Sequence, residues 1–575
     1  MTMEFAHAAV AADHRLASQA GLEVLRAGGN AVDAAVATSF ALSVVRSYSC
    51  GVGGGGFMVV HLREHPRLGV TPANPVVTAI NYRETCPAAV GPRYYETIDD
   101  PDAATRGGRA VAVPGHVAGM LHALERYGTL PREAVLAPAI RLAKEGYAID
   151  AHYVESAQDV FEWLRGGSKK ADAALDAAKL KRISFLWSRF FKDGAVRVGD
   201  RIALPEQAEM LAAIAKDGAR AFYEGDNARR MVDAVHDDGG ELSLEDLAAF
   251  RVQELKPFVT TFGGKTFLGM PPPSSGGIVV AQVLAMLEHR RADVQRIVRQ
   301  HGHNSSEYIH FVAEACKHAF ADRARWLADT DFVDVPLHEL LSPTYLQSRA
   351  EAIREERTFP QDVYGMALQP KDGHGTSHLC VVDGAGNAVA CTETINLVFG
   401  SLIGVPECGF ILNDTMDDFI TRSGHANAFG LTHGDRNRPQ PGKRPLSCMT
   451  PTIVLDGVGG EGGANTFAHP VFMLAGASGG PRIISGTLQA LLNVLLFDMN
   501  AEDSVSRPRF HHQWSPHTLQ LETALLESPA KKSLEALGHD VSRRQPVGAV
   551  QVIRRKSKAW QPASDPRKGG APAGL

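Results

Sequence analysis

Short apolar runs broken by glycine turns dominate the last third of the chain, while longer runs of helical period fill its middle. Leu379, Val381 and Val382 predict a strand, Gly384-Ala385-Gly386-Asn387 a turn, and Ala388-Val389-Ala390-Cys391 the returning strand of a hairpin. Upstream, residues 17–45 read as two helices, the first stopped by Gly28-Gly29 and the second capped by Asn30. A glycine-rich turn leads into a strand over 57–62, and another over 76–82 ends on Arg83-Glu84. From about residue 115 to 260 the pattern is mostly helical, as in 117–124 and 207–216. Pro271 to Gly277 interrupts the chain before a helix over 278–288, and 305–330 forms another. A final strand over 549–553 precedes a Pro/Gly-rich tail expected to be loose. Strands lie on both sides of the middle of the chain, with no internal repeat and no low-complexity linker. Stacked sheets flanked by helix layers, an α/β (α+β) class, fit this alternation.

Composition narrows the picture. At 575 residues there is ample chain for a large core, and 59 basic against 64 acidic residues give a net charge of −5. That balance argues against a dedicated nucleic-acid or membrane-surface protein. The stretch from Arg543 to Lys568 collects eight Lys and Arg against Asp565, and reads as a solvated closing strand and tail. Seven Cys without a C-x-x-C pair indicate neither a disulfide scaffold nor a zinc ribbon. Residues 1–18 lack an apolar secretory core, which predicts a cytoplasmic protein, or a periplasmic or extracellular one if the true start lies upstream. The longest apolar run, 34–45, is too short to cross a bilayer, so no membrane partner is expected.

The candidate chemistry begins at Gly373-His374-Gly375-Thr376-Ser377-His378, a flexible approach to a Thr that opens a strand. If the Gly375–Thr376 bond is cut, the new terminal Thr carries both a nucleophile and, in its freed α-amine, a general base of pKa about 7.7–8.0. Three other patterns compete. Gly51, Gly53 and Gly56 satisfy G-x-G-x-x-G, but a helix precedes and a strand follows, the reverse of a dinucleotide site. A tight glycine turn against packed backbone is the better reading. Gly476-Ala477-Ser478-Gly479-Gly480 satisfies G-x-S-x-G between a strand and a helix from about 484, with His511, His512 and His517 downstream. His301, His303 and His310 lack metal-ligand spacing and read as solvated, helix-flanking residues. No metal or other cofactor is expected.

The motif at Thr376 is similar to the processing site of the γ-glutamyltransferases, which are N-terminal-nucleophile hydrolases. The similarity extends through Gly28-Gly29-Asn30-Ala31-Val32-Asp33-Ala34-Ala35, Gly51-Val52-Gly53-Gly54-Gly55-Gly56-Phe57 and Pro271-Pro272-Pro273-Ser274-Ser275-Gly276-Gly277. Met416-Asp417-Asp418-Phe419, Arg444-Pro445-Leu446-Ser447 and Ser478-Gly479-Gly480 continue it in order. The resemblance implies a four-layer αββα sandwich and self-cleavage into residues 1–375 and 376–575, two interwoven fragments of one precursor. It assigns Thr376 as nucleophile, Thr394 as the hydroxyl that holds and activates it, and the N–H groups of Gly479 and Gly480 as the oxyanion hole. Arg83 and Ser447 would bind a substrate α-carboxylate, while Asp418 and Asn396, two residues beyond Thr394 and expected on the same strand face, would take its α-ammonium. Two positions depart from the family pattern. Thr415 stands where Gln or Glu is usual as an ammonium acceptor, and Cys448 where a second Ser is usual. The segment 420–443, with Phe429, matches the family's lid loop in length.

The implied substrates are glutathione and related γ-glutamyl amides, with water or an amino acid or peptide as acceptor. The rival readings are an acylase of the same family acting on glutaryl or other amides, a serine hydrolase using Ser478, and a non-catalytic γ-glutamyl-binding relative.

Overall fold

The strands gather into two large antiparallel sheets. The computed structural model describes residues 2–365, 375–421, 435–459, 465–544 and 546–575. Across the first sheet the order is Ala573–Gly574, Ala9–Ala12, Ser377–Val382, Ala388–Thr394, Gly55–Leu62, Val76–Asn81 and Gln253–Leu255. The second runs Ala559–Ser564, Ala549–Lys556, Val471–Ser478, Thr452–Leu455, Lys265–Gly269 and Phe258–Phe262. Each sheet mixes strands from before and after residue 375, so the chain does not divide there into separate units.

Alternation along the strands sorts their side chains. Leu379 and Val381 join an apolar cluster with the helices Arg15–Arg26 and Ala31–Val45, while Cys380 and Val382 meet Ile453, Leu474 and Ile553 of the second sheet. On that sheet, Met473, Ala475 and Ala477 pack with the helices Gly276–His289, Ser306–Trp326 and Arg482–Phe497. Apolar faces are thus distributed as stacked sheets between helix layers require.

Local sequence explains why these elements start where they do. Asn30 caps the helix Ala31–Val45, accepting from the Val32 N–H at 2.8 Å and the Asp33 N–H at 3.0 Å, with Asp33 closing the capping box. The turn of the central hairpin is tied to that helix. Asp383 Oδ1 accepts from the Ala385 and Asn387 N–H groups, while its Oδ2 accepts from the Ala31 N–H at 2.9 Å. The glycine turn at 51–56 is needed for close packing: a Cβ on Gly53 would lie 2.2 Å from the Ile411 carbonyl oxygen, and one on Gly54 2.0 Å from that of Thr394.

Two sequence expectations are corrected here. The C-terminal tail is docked along its length: Asp565 pairs with Arg509 at 2.6 Å, Ala573–Gly574 adds an edge strand to the first sheet, and Lys568 is buried. His310 is buried rather than solvated, held between His539 at 2.8 Å and the Arg354 carbonyl at 2.6 Å. Among the described residues no helix is long and apolar enough to cross a membrane.

Candidate active site

The two threonines meet because of strand register. Ser377 pairs with Glu393 and His378 with Thr392, so one further step sets Thr376 opposite Thr394 at the mouth of the hairpin. Their hydroxyl oxygens lie 3.1 Å apart. Thr394 Oγ1 also accepts from the Asn396 N–H at 2.8 Å, which leaves its own proton free for Thr376. Thr376 is buried and its backbone sits at φ 146°, a region that a β-branched residue rarely occupies and that costs about 1–3 kcal/mol. Gly375 precedes it under equal constraint. A Cβ there would lie 2.2 Å from the Asn396 carbonyl oxygen.

On one side of Thr376 a small cavity of about 20 Å³ is lined by Arg83, Thr394, Asn396, Asp418, Ser447, Cys448 and Gly480, among others. These residues come from five separate segments. Arg83 follows the strand Val76–Asn81, and its fully buried guanidinium pairs with Asp418, with Glu84 at 3.1 Å and with the Pro445 carbonyl at 3.3 Å. Asp418 closes the short helix Thr415–Asp418. Asn396 lies beyond the strand end at Thr394 with φ 76°, so it reaches the cavity by a turn and not by sharing a strand face with Thr394. Its amide nitrogen donates to the Asp414 carbonyl at 3.1 Å, which leaves the side-chain oxygen as an acceptor.

The unusual positions part company. Cys448 lines the cavity, and its Sγ accepts from Arg323 Nη2 at 3.5 Å; burial raises its thiol pKa. Thr415 does not line it: its hydroxyl donates to Glu84 Oε1 at 2.9 Å, behind Arg83. Burial pushes the Glu84 carboxyl upward, against the opposing pull of Arg83. The lid expected over 420–443 falls largely on residues 422–434, outside the described residues.

Gly479 and Gly480 form the turn between the strand Val471–Ser478 and the helix Arg482–Phe497, at φ 122° and 61°. Neither N–H donates to another backbone group among the described residues. Gly480 lines the small cavity, and Gly479 a second one of about 230 Å³ that Thr376 also lines. Donors placed at a strand-to-helix turn beside a nucleophile suit a developing oxyanion.

Among the described residues Ser478 assembles no triad. His511 is spent on Ser485 at 2.6 Å and Gln513 at 2.8 Å, and burial holds its pKa down at about 3. Ser478 Oγ instead accepts from Lys568 Nζ at 3.4 Å. The G-x-S-x-G spacing has another cause: the His378 ring occupies the space a Gly476 Cβ would need, 2.1 Å away.

Sequence reasoning missed one group beside the nucleophile. Lys568 Nζ donates to the Thr376 carbonyl and pairs with Asp13 at 2.8 Å, both side chains buried. Lys568 stands in a basic tail and Asp13 in a polar segment before a helix, so neither carries a local pattern that marks it.

Comparison with known proteins fits this arrangement. Residues 17–575 match the family model described as gamma-glutamyltranspeptidase. The glutathione hydrolase proenzyme of Escherichia coli (strain K12) is 35% identical over 566 residues, covering 97% of this chain and 90% of the relative. That of Pseudomonas sp. (strain A14) is 34% identical over 568 residues, covering 98% and 90%. The cephalosporin acylase from Bacillus halodurans shares the fold over 100% of this chain and 97% of its own, with a TM-score of 0.79 at 24% identity. The gamma-glutamyltranspeptidase from Pseudomonas nitroreducens aligns with 61% of this chain and 96% of its own, with a TM-score of 0.53 at 30% identity. With a whole-chain family match and full-length relatives of this kind, the chain belongs to the gamma-glutamyltranspeptidase family.

Proposed function

We propose that the protein is a self-processing threonine-nucleophile enzyme that cleaves γ-glutamyl amides such as glutathione. One observation carries the reading: Thr376 stands 3.1 Å from the Thr394 hydroxyl and on the wall of a cavity shared with Arg83, Asn396, Asp418, Ser447 and Gly480. In maturation, Thr376 Oγ attacks the Gly375 carbonyl and the C–N bond breaks. The nitrogen takes a proton and becomes a free amine, and water then opens the resulting ester. The precursor thereby separates into residues 1–375 and 376–575.

In turnover the α-amine takes the Thr376 hydroxyl proton as Oγ attacks the γ-carbonyl. N–H groups of Gly479 and Gly480 receive the oxyanion. The leaving amine departs with a proton, and water or an amino-acid or peptide amine attacks the acyl-enzyme from the side of the larger cavity. Arg83 and Ser447 hold the substrate carboxylate. Asp418 and the Asn396 oxygen take its ammonium.

A second reading, an acylase for glutaryl or similar amides, is favoured by one feature. Cys448 replaces a hydroxyl donor with a thiol, a weak donor, in the wall of the acyl cavity. Steady-state kinetics on γ-glutamyl and glutaryl anilides of equal leaving group separate the two: a higher kcat/KM for the γ-glutamyl compound supports the first reading, and the reverse supports the acylase.

A further inference from the structure

The two ends of the chain converge behind Thr376. Asp13 follows the first strand Ala9–Ala12, and Lys568 lies near the C-terminus. Arg46 bridges them, donating from Nη2 to the Asp13 carbonyl at 3.0 Å and to the Lys568 carbonyl at 2.7 Å. Arg46 is itself paired with Asp150 at 2.7 Å. Asp13 is tied further, accepting from Gln551 Nε2 at 2.6 Å. Held by this frame, the Lys568 ammonium points at the Thr376 carbonyl, with Ser377 Oγ and Ser478 Oγ each at 3.4 Å.

We infer that Lys568, braced by Asp13, is a positioning residue for maturation: its hydrogen bond to the Thr376 carbonyl holds the scissile junction in its reactive backbone geometry. The inference rests on the cleavage proposed above. Thr376 at φ 146° does not adopt this conformation from local preference, so surrounding groups must impose it. Its side chain is held by Thr394 and its carbonyl by Lys568, which leaves Oγ and the Gly375 carbonyl in a fixed relation. Attack, C–N cleavage and proton transfer to the nitrogen proceed as already described; Lys568 exchanges no proton in them. Because this ammonium arrives with the C-terminal tail, the nucleophile is armed only after the tail has docked on the first strand. Lys568 borders the larger cavity and not the small one that receives the acyl group, so it has no part in binding the substrate carboxylate.

The test follows conversion of the full-length chain on denaturing gels for the parent, Lys568→Met and Lys568→Ala. Loss of one charge-assisted hydrogen bond predicts maturation about ten- to a hundredfold slower in both variants. Met fills the lysine's space, whereas Ala leaves room continuous with the larger cavity. Ethylammonium should therefore restore maturation of Lys568→Ala in a concentration-dependent way and leave Lys568→Met slow. Lys568→Met and Lys568→Ala both leave the buried Asp13 carboxylate without its cation, so unfolding temperatures, compared in the Thr376→Ala background where every chain stays uncut, should fall alike in the two, and the response to ethylammonium is what separates them. Parent-like maturation of Lys568→Met overturns the inference while leaving the cleavage reading standing. So does slow maturation of Lys568→Ala that ethylammonium fails to rescue. A parent chain that stays intact overturns the cleavage reading and the positioning role with it.

Discussion

The Thr394 hydroxyl accepts from the Asn396 N–H at 2.8 Å and lies 3.1 Å from Thr376 Oγ1, so its proton is available to the nucleophile. Thr394→Val should remove that donor with little change in volume. Self-cleavage and kcat are both expected to fall by roughly tenfold or more, while Thr394→Ser keeps most of each. Time-resolved gels and single-turnover kinetics check this. A Val variant that matures and turns over normally would show the hydroxyl to be structural only.

Arg83 is fully buried and serves Glu84 and Asp418 together, so its removal would strand two carboxylates. Arg83→Lys is the informative change: charge is kept and the planar fork is lost. KM for γ-glutamyl substrates should rise about tenfold or more, with the rate of self-cleavage nearly unchanged. Equal losses in the two reactions would assign Arg83 to folding.

Cys448 and Thr415 should differ in their effect on acyl preference. Cys448→Ser places a hydroxyl donor on the cavity wall and should raise kcat/KM for γ-glutamyl over glutaryl anilides. Thr415→Gln acts at a buried side chain that faces Glu84, and alone should do little for preference while lowering stability. If Thr415→Gln carries the gain instead, the cavity wall described above is incomplete at that position.

Buried histidines make the fold acid-sensitive. Burial lowers the pKa of His378 and His511 from 6.5 to about 3, and that of His152, with Lys568 and Arg46 assisting, to about 3. Their unfolded forms bind protons first, so the stability each contributes is complete above pH 6.5 and is lost as pH falls toward 3. Each should cost about 1.4 kcal/mol per pH unit across that window. Thermal unfolding of the Thr376→Ala chain, scanned from pH 7.5 to about 5, should show a steep downward trend; a flat profile would contradict the neutral assignments.

Much of the fold was legible because period and punctuation agree. The hairpin around Asp383–Asn387, the Asn30 cap and the glycine turn at 51–56 each state a local requirement that the structure meets. Thr376 and Thr394 were marked by the family resemblance, and the hairpin register explains why they meet. Asn396 did not follow from strand alternation, because the strand stops at Thr394 and a turn redirects the chain. The tail was misread for a different reason. A Lys at 568 looks solvated in any window of sequence, and only the long-range pairing with Asp13 explains its burial. Such contacts join residues hundreds of positions apart and leave no periodic trace.

In the proposed maturation Thr376 becomes the N-terminal nucleophile by cutting its own bond to Gly375. Intact-mass measurement and N-terminal sequencing of the purified parent and Thr376→Ala proteins test it most directly. The parent should resolve into residues 1–375 and 376–575 with Thr376 at the new terminus, and the variant should remain whole and inactive. A parent that hydrolyses γ-glutamyl anilides as an intact chain, or a Thr376→Ala variant that still divides at residue 375, would contradict it.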